Sequence, residues 1–196
     1  MSKDMRHTIH ETFDEHLRVV AAAADVLAPD LEKLIRLAID TLEGGGKILA
    51  CGNGGSAADA QHLVAEIVCR FRHDRRALPA VTLAGDMSSV TAIANDLGYD
   101  HIFSRQVEAL GREGDLLVAI STSGNSPNVL EAARTAAAMS CRVAALTGES
   151  GGKLAELADV CLRAPSPVVA RIQEVHELCI HLLAGAIEDV LTGEPE

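Results

Sequence analysis

The sequence has no tryptophan, one tyrosine and three phenylalanines in 196 residues. With so few rings there is no aromatic platform for bases or sugars, which argues against single-stranded nucleic-acid binding of that kind. The core must instead be Ala, Val, Leu and Ile, as in parallel sheets covered by helices. Positive charge is also scarce: 17 Lys and Arg face 28 Asp and Glu, a net charge of −11. Bulk affinity for nucleic acid or an anionic membrane is therefore disfavoured. A local cradle still binds a small anion, because distant charge is screened. The five cysteines (Cys51, Cys69, Cys141, Cys161 and Cys179) contain no C-x-x-C pair. Scattered and odd in number, they read as reduced thiols of a cytoplasmic protein. No basic-then-apolar leader and no apolar run of membrane-spanning length stands out. A G-x-G-x-x-G fingerprint and a P-loop lysine are missing as well.

What is present is 48% apolar residues, enough for one domain over 1–196 with a sizeable core. Ile9, Phe13, Leu17, Val20 and Ala24 recur at helical spacing, and Pro29-Asp30 suits the first turn of a second helix ending at Gly44-Gly45-Gly46. These N-terminal helices, within 1–45, carry an apolar stripe suited to oligomerisation. Beyond them strands and helices alternate. Strands are expected at 47–52, 80–84, 115–121, 142–147 and 160–164. Helices are expected at 56–71, 88–97, 103–110, 128–139 and 168–191, with a short one at 152–157. That alternation predicts an α/β fold, a five-stranded parallel sheet covered on both faces, with ligands bound beyond the carboxyl ends of the strands.

Two hydroxyl-rich loops fall at such strand ends. One is Cys51-Gly52-Asn53-Gly54-Gly55-Ser56, the other Ser121-Thr122-Ser123-Gly124-Asn125-Ser126-Pro127. Each opens a helix, and backbone N–H groups, hydroxyls and a helix N-terminus together suit one anion. Ordinary turn and N-cap chemistry explains one such loop; two in matching positions point to a phosphorylated ligand. The helix after the first loop carries His62 and Glu66, four residues apart and so on one face. The last helix carries Gln173, Glu177 and His181 at i, i+4 and i+8, with His176 beside Gln173 at i+3. Spacing leaves both His176 and His181 open as site residues. Two such helices facing one crevice suit a metal ion or proton transfer.

Taken together, GNGGSAADAQH, Glu66, Arg70-Phe71, TAIANDLGYD, STSGNSPNV, ALTG and RIQEVHELCIH resemble the phosphoheptose isomerase family of the SIS domain superfamily. The resemblance spans nearly the whole chain. It implies a single SIS domain, a flavodoxin-like three-layer sandwich with an N-terminal helical extension. It implies interconversion of sedoheptulose 7-phosphate and D-glycero-D-manno-heptose 7-phosphate through an enediol. Four subunits are implied, with active sites at their boundaries, and one zinc per subunit on His62, Glu66, Gln173 and His181. By the same resemblance Ser121, Thr122, Ser123 and Ser126 would hold phosphate. Asn53, Gly54, Gly55, Ser56, Arg70, Asn95, Asp96 and Gln173 would surround the sugar, with Glu66 and His181 as the acid/base pair. Some members carry Asp where this chain has Ala170, so no role of that Asp transfers. The competing expectations are a non-catalytic SIS protein that binds the replication initiator, or a sugar-phosphate sensor. Glu66 favours the enzyme, since a binding module has no need of a carboxylate one turn after His62.

Overall fold

Short apolar runs bounded by glycine and hydroxyl turns become the strands of one sheet. The computed structural model describes residues 4–193. Strands β1 (Ile48–Gly52), β2 (Ala80–Thr82), β3 (Leu116–Ile120), β4 (Arg142–Gly148) and β5 (Val160–Ala164) are all parallel, in the order β2-β1-β3-β4-β5. β1 and β3 are buried along their whole length, as expected of strands covered on both faces. Helices α1 (Met5–Glu43), α2 (Gly55–Val68) and α6 (Val169–Thr192) share one core cluster with Ile48, Ala50, Val118, Ile120 and Leu146 of the sheet. The opposite layer joins α5 (Pro127–Ala138) and α4 (Ser104–Leu110) to Leu49, Leu117 and Val143, with α3 (Met87–Asp96) packed at its margin through Val90 and Ile93. The order reverses at β1 and β3, so the crevice of a doubly wound sheet opens between the two hydroxyl-rich loops.

Two expectations are corrected. The N-terminal segment is one 39-residue helix with Pro29 inside it, not a pair. Proline in a helix interior costs about 3 kcal/mol. Here Ala23, Leu27, Leu31, Leu34 and Ala38 form one continuous buried stripe across it, and tertiary packing outweighs propensity. The short helix near 152–157 is a 3₁₀ segment, Lys153–Glu156.

At the far end of α1 Met5, Ile9, Phe13 and Leu17 repeat every fourth residue and are 77%, 48%, 65% and 63% exposed. Among the described residues nothing covers that apolar face. The same stretch of α1 is tied to α6 on another face through Arg171, which donates to the Thr12 carbonyl and pairs with Glu15 and Glu174. His16 adds a 2.6 Å contact to Glu174.

Candidate active site

The loop after β3 gathers three hydroxyls. Ser121 Oγ lies 3.0 Å from Ser126 Oγ and 3.4 Å from Ser123 Oγ. Ser126 is the N-cap of α5, yet its hydroxyl makes no capping bond. It turns inward to Ser121, so ordinary capping does not account for it. Gly124 sits at φ +64°, where a Cβ would stand 2.1 Å from the Gly151 carbonyl oxygen. Backbone packs directly on backbone there, joining this loop to the turn after β4. Thr122 and Ser123 line a cavity of about 320 Å³ shared with Gly148, Glu149, Ser150, Ser166 and Ile172. The hydroxyls and the α5 N-terminus beside this hollow have the chemistry that suits an anion.

The loop after β1 is locked to its neighbour by side-chain amides. Asn53 Nδ2 donates to Asn128 Oδ1 at 2.9 Å, and Asn128 Nδ2 donates back to Asn53 Oδ1 at 2.8 Å. Tyr99 Oη donates to the same Asn53 oxygen at 3.0 Å. Gly54 and Gly55 open α2, with Ser56 buried behind them. A Cβ on Gly55 would meet Gln173 Nε2 at 2.3 Å, so this glycine admits the Gln173 amide to the start of α2.

About 10 Å further along α2, at 1.5 Å per residue, His62 faces α6. Its Nδ1 is 2.6 Å from Glu177 Oε1, and its Nε2 is 3.1 Å from Glu66 Oε1. His181 Nε2 is 3.4 Å from the same Glu177 oxygen. The two imidazoles meet edge to face at 5.1 Å, and Phe71 stacks on His181 at 5.5 Å. His62, Glu177 and His181 offer ligand atoms all within 4.8 Å of one another. Asp59 stands nearby with Oδ2 buried and without a hydrogen-bond partner among the described residues. Burial, reinforced by the charge of Glu177 and opposed by His62, pushes its pKa up to about 6. A neutral imidazole has one N–H, whereas His62 presents each nitrogen to a carboxylate. The second contact requires a cation, either a proton or a metal ion. The donor set of imidazoles and carboxylates therefore fits a divalent metal.

His176 lies elsewhere. It is buried, its Nε2 donates to the Thr147 carbonyl oxygen at 3.0 Å, and burial takes its pKa down to about 4. It is a neutral core residue. Asn95 and Asp96 bond to each other at the exposed end of α3, and Arg70 is exposed just beyond α2. Among the described residues none of these three is hydrogen-bonded to the loops or to the histidines. The neighbours of the candidate site that the sequence does not single out are Asp59, Phe71, Tyr99 and Asn128; Glu177 lies on the face marked by the i, i+4, i+8 spacing, which gives it no role by itself.

Phe71 is held in place from α6. Glu188 is fully buried and accepts from the backbone N–H groups of Phe71, Arg72 and His73 at 2.8, 2.7 and 2.9 Å, and from Arg75 Nε at 3.1 Å. Arg75 in turn caps the Glu66 carbonyl oxygen at 2.7 Å. One carboxylate thus anchors the segment that supports both His181 and the end of α2.

The sequence profile of the SIS domain family matches residues 12–148. A phosphoheptose isomerase of Thiobacillus denitrificans is 52% identical over 195 residues, covering 96% of this chain and 99% of that protein. One from Aliarcobacter butzleri is 47% identical over 188 residues, covering 96% and 100%. Among solved structures, the phosphoheptose isomerase of Neisseria gonorrhoeae superposes with a TM-score of 0.91 at 47% identity, covering 95% of this chain and all of that one. The enzyme from Francisella tularensis gives 0.93 at 38% identity, covering 95% and 100%.

Proposed function

The chain belongs to the SIS domain family and, within it, to the phosphoheptose isomerases, and on that premise we propose how its residues share the work of an aldose–ketose isomerase. The reaction interconverts sedoheptulose 7-phosphate and D-glycero-D-manno-heptose 7-phosphate, a step of heptose biosynthesis. One proton moves between C1 and C2 and another between their oxygens, through an enediol. The observation that carries the reading is the hydroxyl cradle of Ser121, Ser123 and Ser126 at one end of the crevice and the Glu66–His62–Glu177–His181 cluster at the other.

In this reading the three hydroxyls, Thr122 and the α5 N-terminus bind the phosphate, far from the reacting carbons. Asn53, Gly54, Gly55, Ser56 and Gln173 line the sugar. Glu66 takes the carbon-bound proton, and His181, its ring held by Phe71, serves the oxygens. We propose one zinc per subunit on His62 and His181; the family set adds Glu66 and Gln173. Bound there, zinc supplies Lewis-acid polarisation of the carbonyl and of the developing oxyanion. The cytoplasm is the proposed location, in keeping with five free cysteines. Among the described residues no helix is long and apolar enough to cross a membrane.

Turnover of sedoheptulose 7-phosphate, followed by NMR, tests the activity directly. In that assay Ser123→Ala is expected to raise KM and leave kcat nearly unchanged, because a contact to the remote phosphate is uniform binding. A charge-assisted hydrogen bond is worth roughly 1.5–3 kcal/mol, so KM should rise roughly ten- to a hundredfold. Unchanged KM with collapsed kcat would remove this loop from phosphate binding.

We further propose a homotetramer. The exposed Met5-Ile9-Phe13-Leu17 face gives each chain a stripe to bury against another, and exposed Arg70, Asn95 and Asp96 then meet a site across a subunit boundary. Light scattering at micromolar concentration should give the mass of four chains. A stable, active monomer overturns this.

A further inference from the structure

Deepening the reading above, and resting on its sugar site at Asn53, we infer that Tyr99 is a positioning residue whose hydroxyl fixes the face that the Asn53 amide turns to the sugar. The oxygen and nitrogen ends of an amide are told apart by their partners, and here one backbone group decides the whole chain of bonds. Val129 N–H can only donate, and it meets Asn128 Oδ1 at 3.0 Å. Asn128 Nδ2 is thereby turned to Asn53, where it donates to Oδ1 at 2.8 Å. Asn53 Nδ2 returns a bond to Asn128 Oδ1 at 2.9 Å. Tyr99 Oη, 3.0 Å from Asn53 Oδ1, must then be the donor of that contact.

Counting donors and acceptors shows what is left over. An amide oxygen accepts two bonds and an amide nitrogen donates two. Asn53 Oδ1 is filled by Asn128 and Tyr99, and Asn128 Oδ1 by Asn53 and Val129. Each amide keeps one N–H, and Tyr99 Oη keeps its acceptor side. With its carbonyl filled, Asn53 offers a sugar oxygen a donor and no competing acceptor. Without the Tyr99 hydroxyl, one lone pair of Asn53 Oδ1 is open to water and the amide is held from one side only. The direction of the phenol is itself unusual. A surface tyrosine ordinarily keeps its polar tip in water. Tyr99, in the 3₁₀ turn Tyr99–His101 just after α3, is 58% exposed, yet its hydroxyl turns inward to the loop after β1.

The test is Tyr99→Phe in the full-length protein, which keeps the ring and removes only the hydroxyl. For sedoheptulose 7-phosphate, kcat/KM should fall about three- to tenfold, the worth of one neutral hydrogen bond. Competitive inhibition by inorganic phosphate, which reads the hydroxyl loop alone, should stay within about twofold of wild type, since that loop is a separate site. A merely structural role would weaken both and lower Tm. The second arm is a cycle with Asn53→Ala, or with Asn53→Ser if the alanine variant fails to fold by circular dichroism. In that background Tyr99→Phe should cost nothing further, because both changes remove one device. A third readout needs no turnover. Tyr99 is the only tyrosine and the chain has no tryptophan, so tyrosine emission belongs to Tyr99 alone and should change when the Asn53 carbonyl is removed. Additive losses in the double variant, parallel loss of phosphate inhibition, or emission indifferent to Asn53 overturns the inference. An active wild type matched by Tyr99→Phe overturns it too and leaves the isomerase reading standing. A wild type that neither binds nor turns over sedoheptulose 7-phosphate overturns that reading first, and this inference with it.

Discussion

Replacing Glu66 by Gln is expected to lower isomerase turnover by about 10²–10⁴-fold while leaving the fold and phosphate binding close to wild type. The amide keeps the side chain's shape and its contact with His62 Nε2 but cannot take a proton from carbon. His181→Gln should be comparably severe, and His176→Ala milder, since His176 is a core residue bonded to the Thr147 carbonyl. The discriminating measurement is exchange of substrate hydrogen at C1 and C2 with D₂O, followed by NMR at saturating zinc. Exchange at the wild-type rate in Glu66→Gln would show that another group abstracts the proton, and the catalytic assignment would fall.

The largest effect on stability is expected from Glu188→Ala. That change leaves Arg75, whose side chain is 2% exposed, as a buried charge without its partner, and strips three backbone N–H groups of their acceptor. Breaking a buried pair in this way costs about 3–5 kcal/mol. At about 2–4 °C per kcal/mol for a chain of this size, calorimetry should show a fall in Tm of about 6–20 °C. Activity should fall with it, because the same segment carries Phe71 against His181. A variant within about 1 kcal/mol of wild type would show that the anchor is replaceable.

The pH signature is specific. Burial raises the Glu188 pKa, but the backbone bonds to Phe71, Arg72 and His73 and the Arg75 charge outweigh it, bringing it from 4.5 down to about 2. Its contribution is therefore complete above about pH 4.5 and lost as pH falls toward 2. His176, depressed from 6.5 to about 4, has the same sign: its contribution is complete above pH 6.5 and lost as pH falls through 4. Removing Glu188 should flatten the stability profile between pH 2 and 4.5 and leave the His176 limb in place.

The fold was legible because β1, β3 and β4 are short apolar runs with turn residues at both ends, and their spacing leaves room for a helix between each pair. Pro29 reads as a break in the sequence because the local rule for proline says nothing of long-range packing. Only the packing of Leu31, Leu34 and Ala38 against other elements shows that the helix continues. The site was half legible. Hydroxyl loops and the i, i+4, i+8 face stand out in the sequence, but the choice between His176 and His181 depends on the rotation of α6 about its axis. That rotation is set by Ile172, Val175, Cys179 and Ile180 packing on the sheet side, which carries His176 inward. The Arg75–Glu188 pair spans 113 residues and leaves no local pattern. Asp59 reads as one more polar residue on a helix until its buried oxygen is seen.

The reciprocal amide pair of Asn53 and Asn128 has a thermodynamic consequence for ligand capture. Each amide satisfies the other through the protein's own groups, so the loop after β1 and the start of α5 are held in register by contacts that need no ligand. The entropy of ordering them is spent during folding and is not charged again at each encounter. Capture then resembles the closing of a key on a cut lock, with its free energy drawn from the ligand's own contacts.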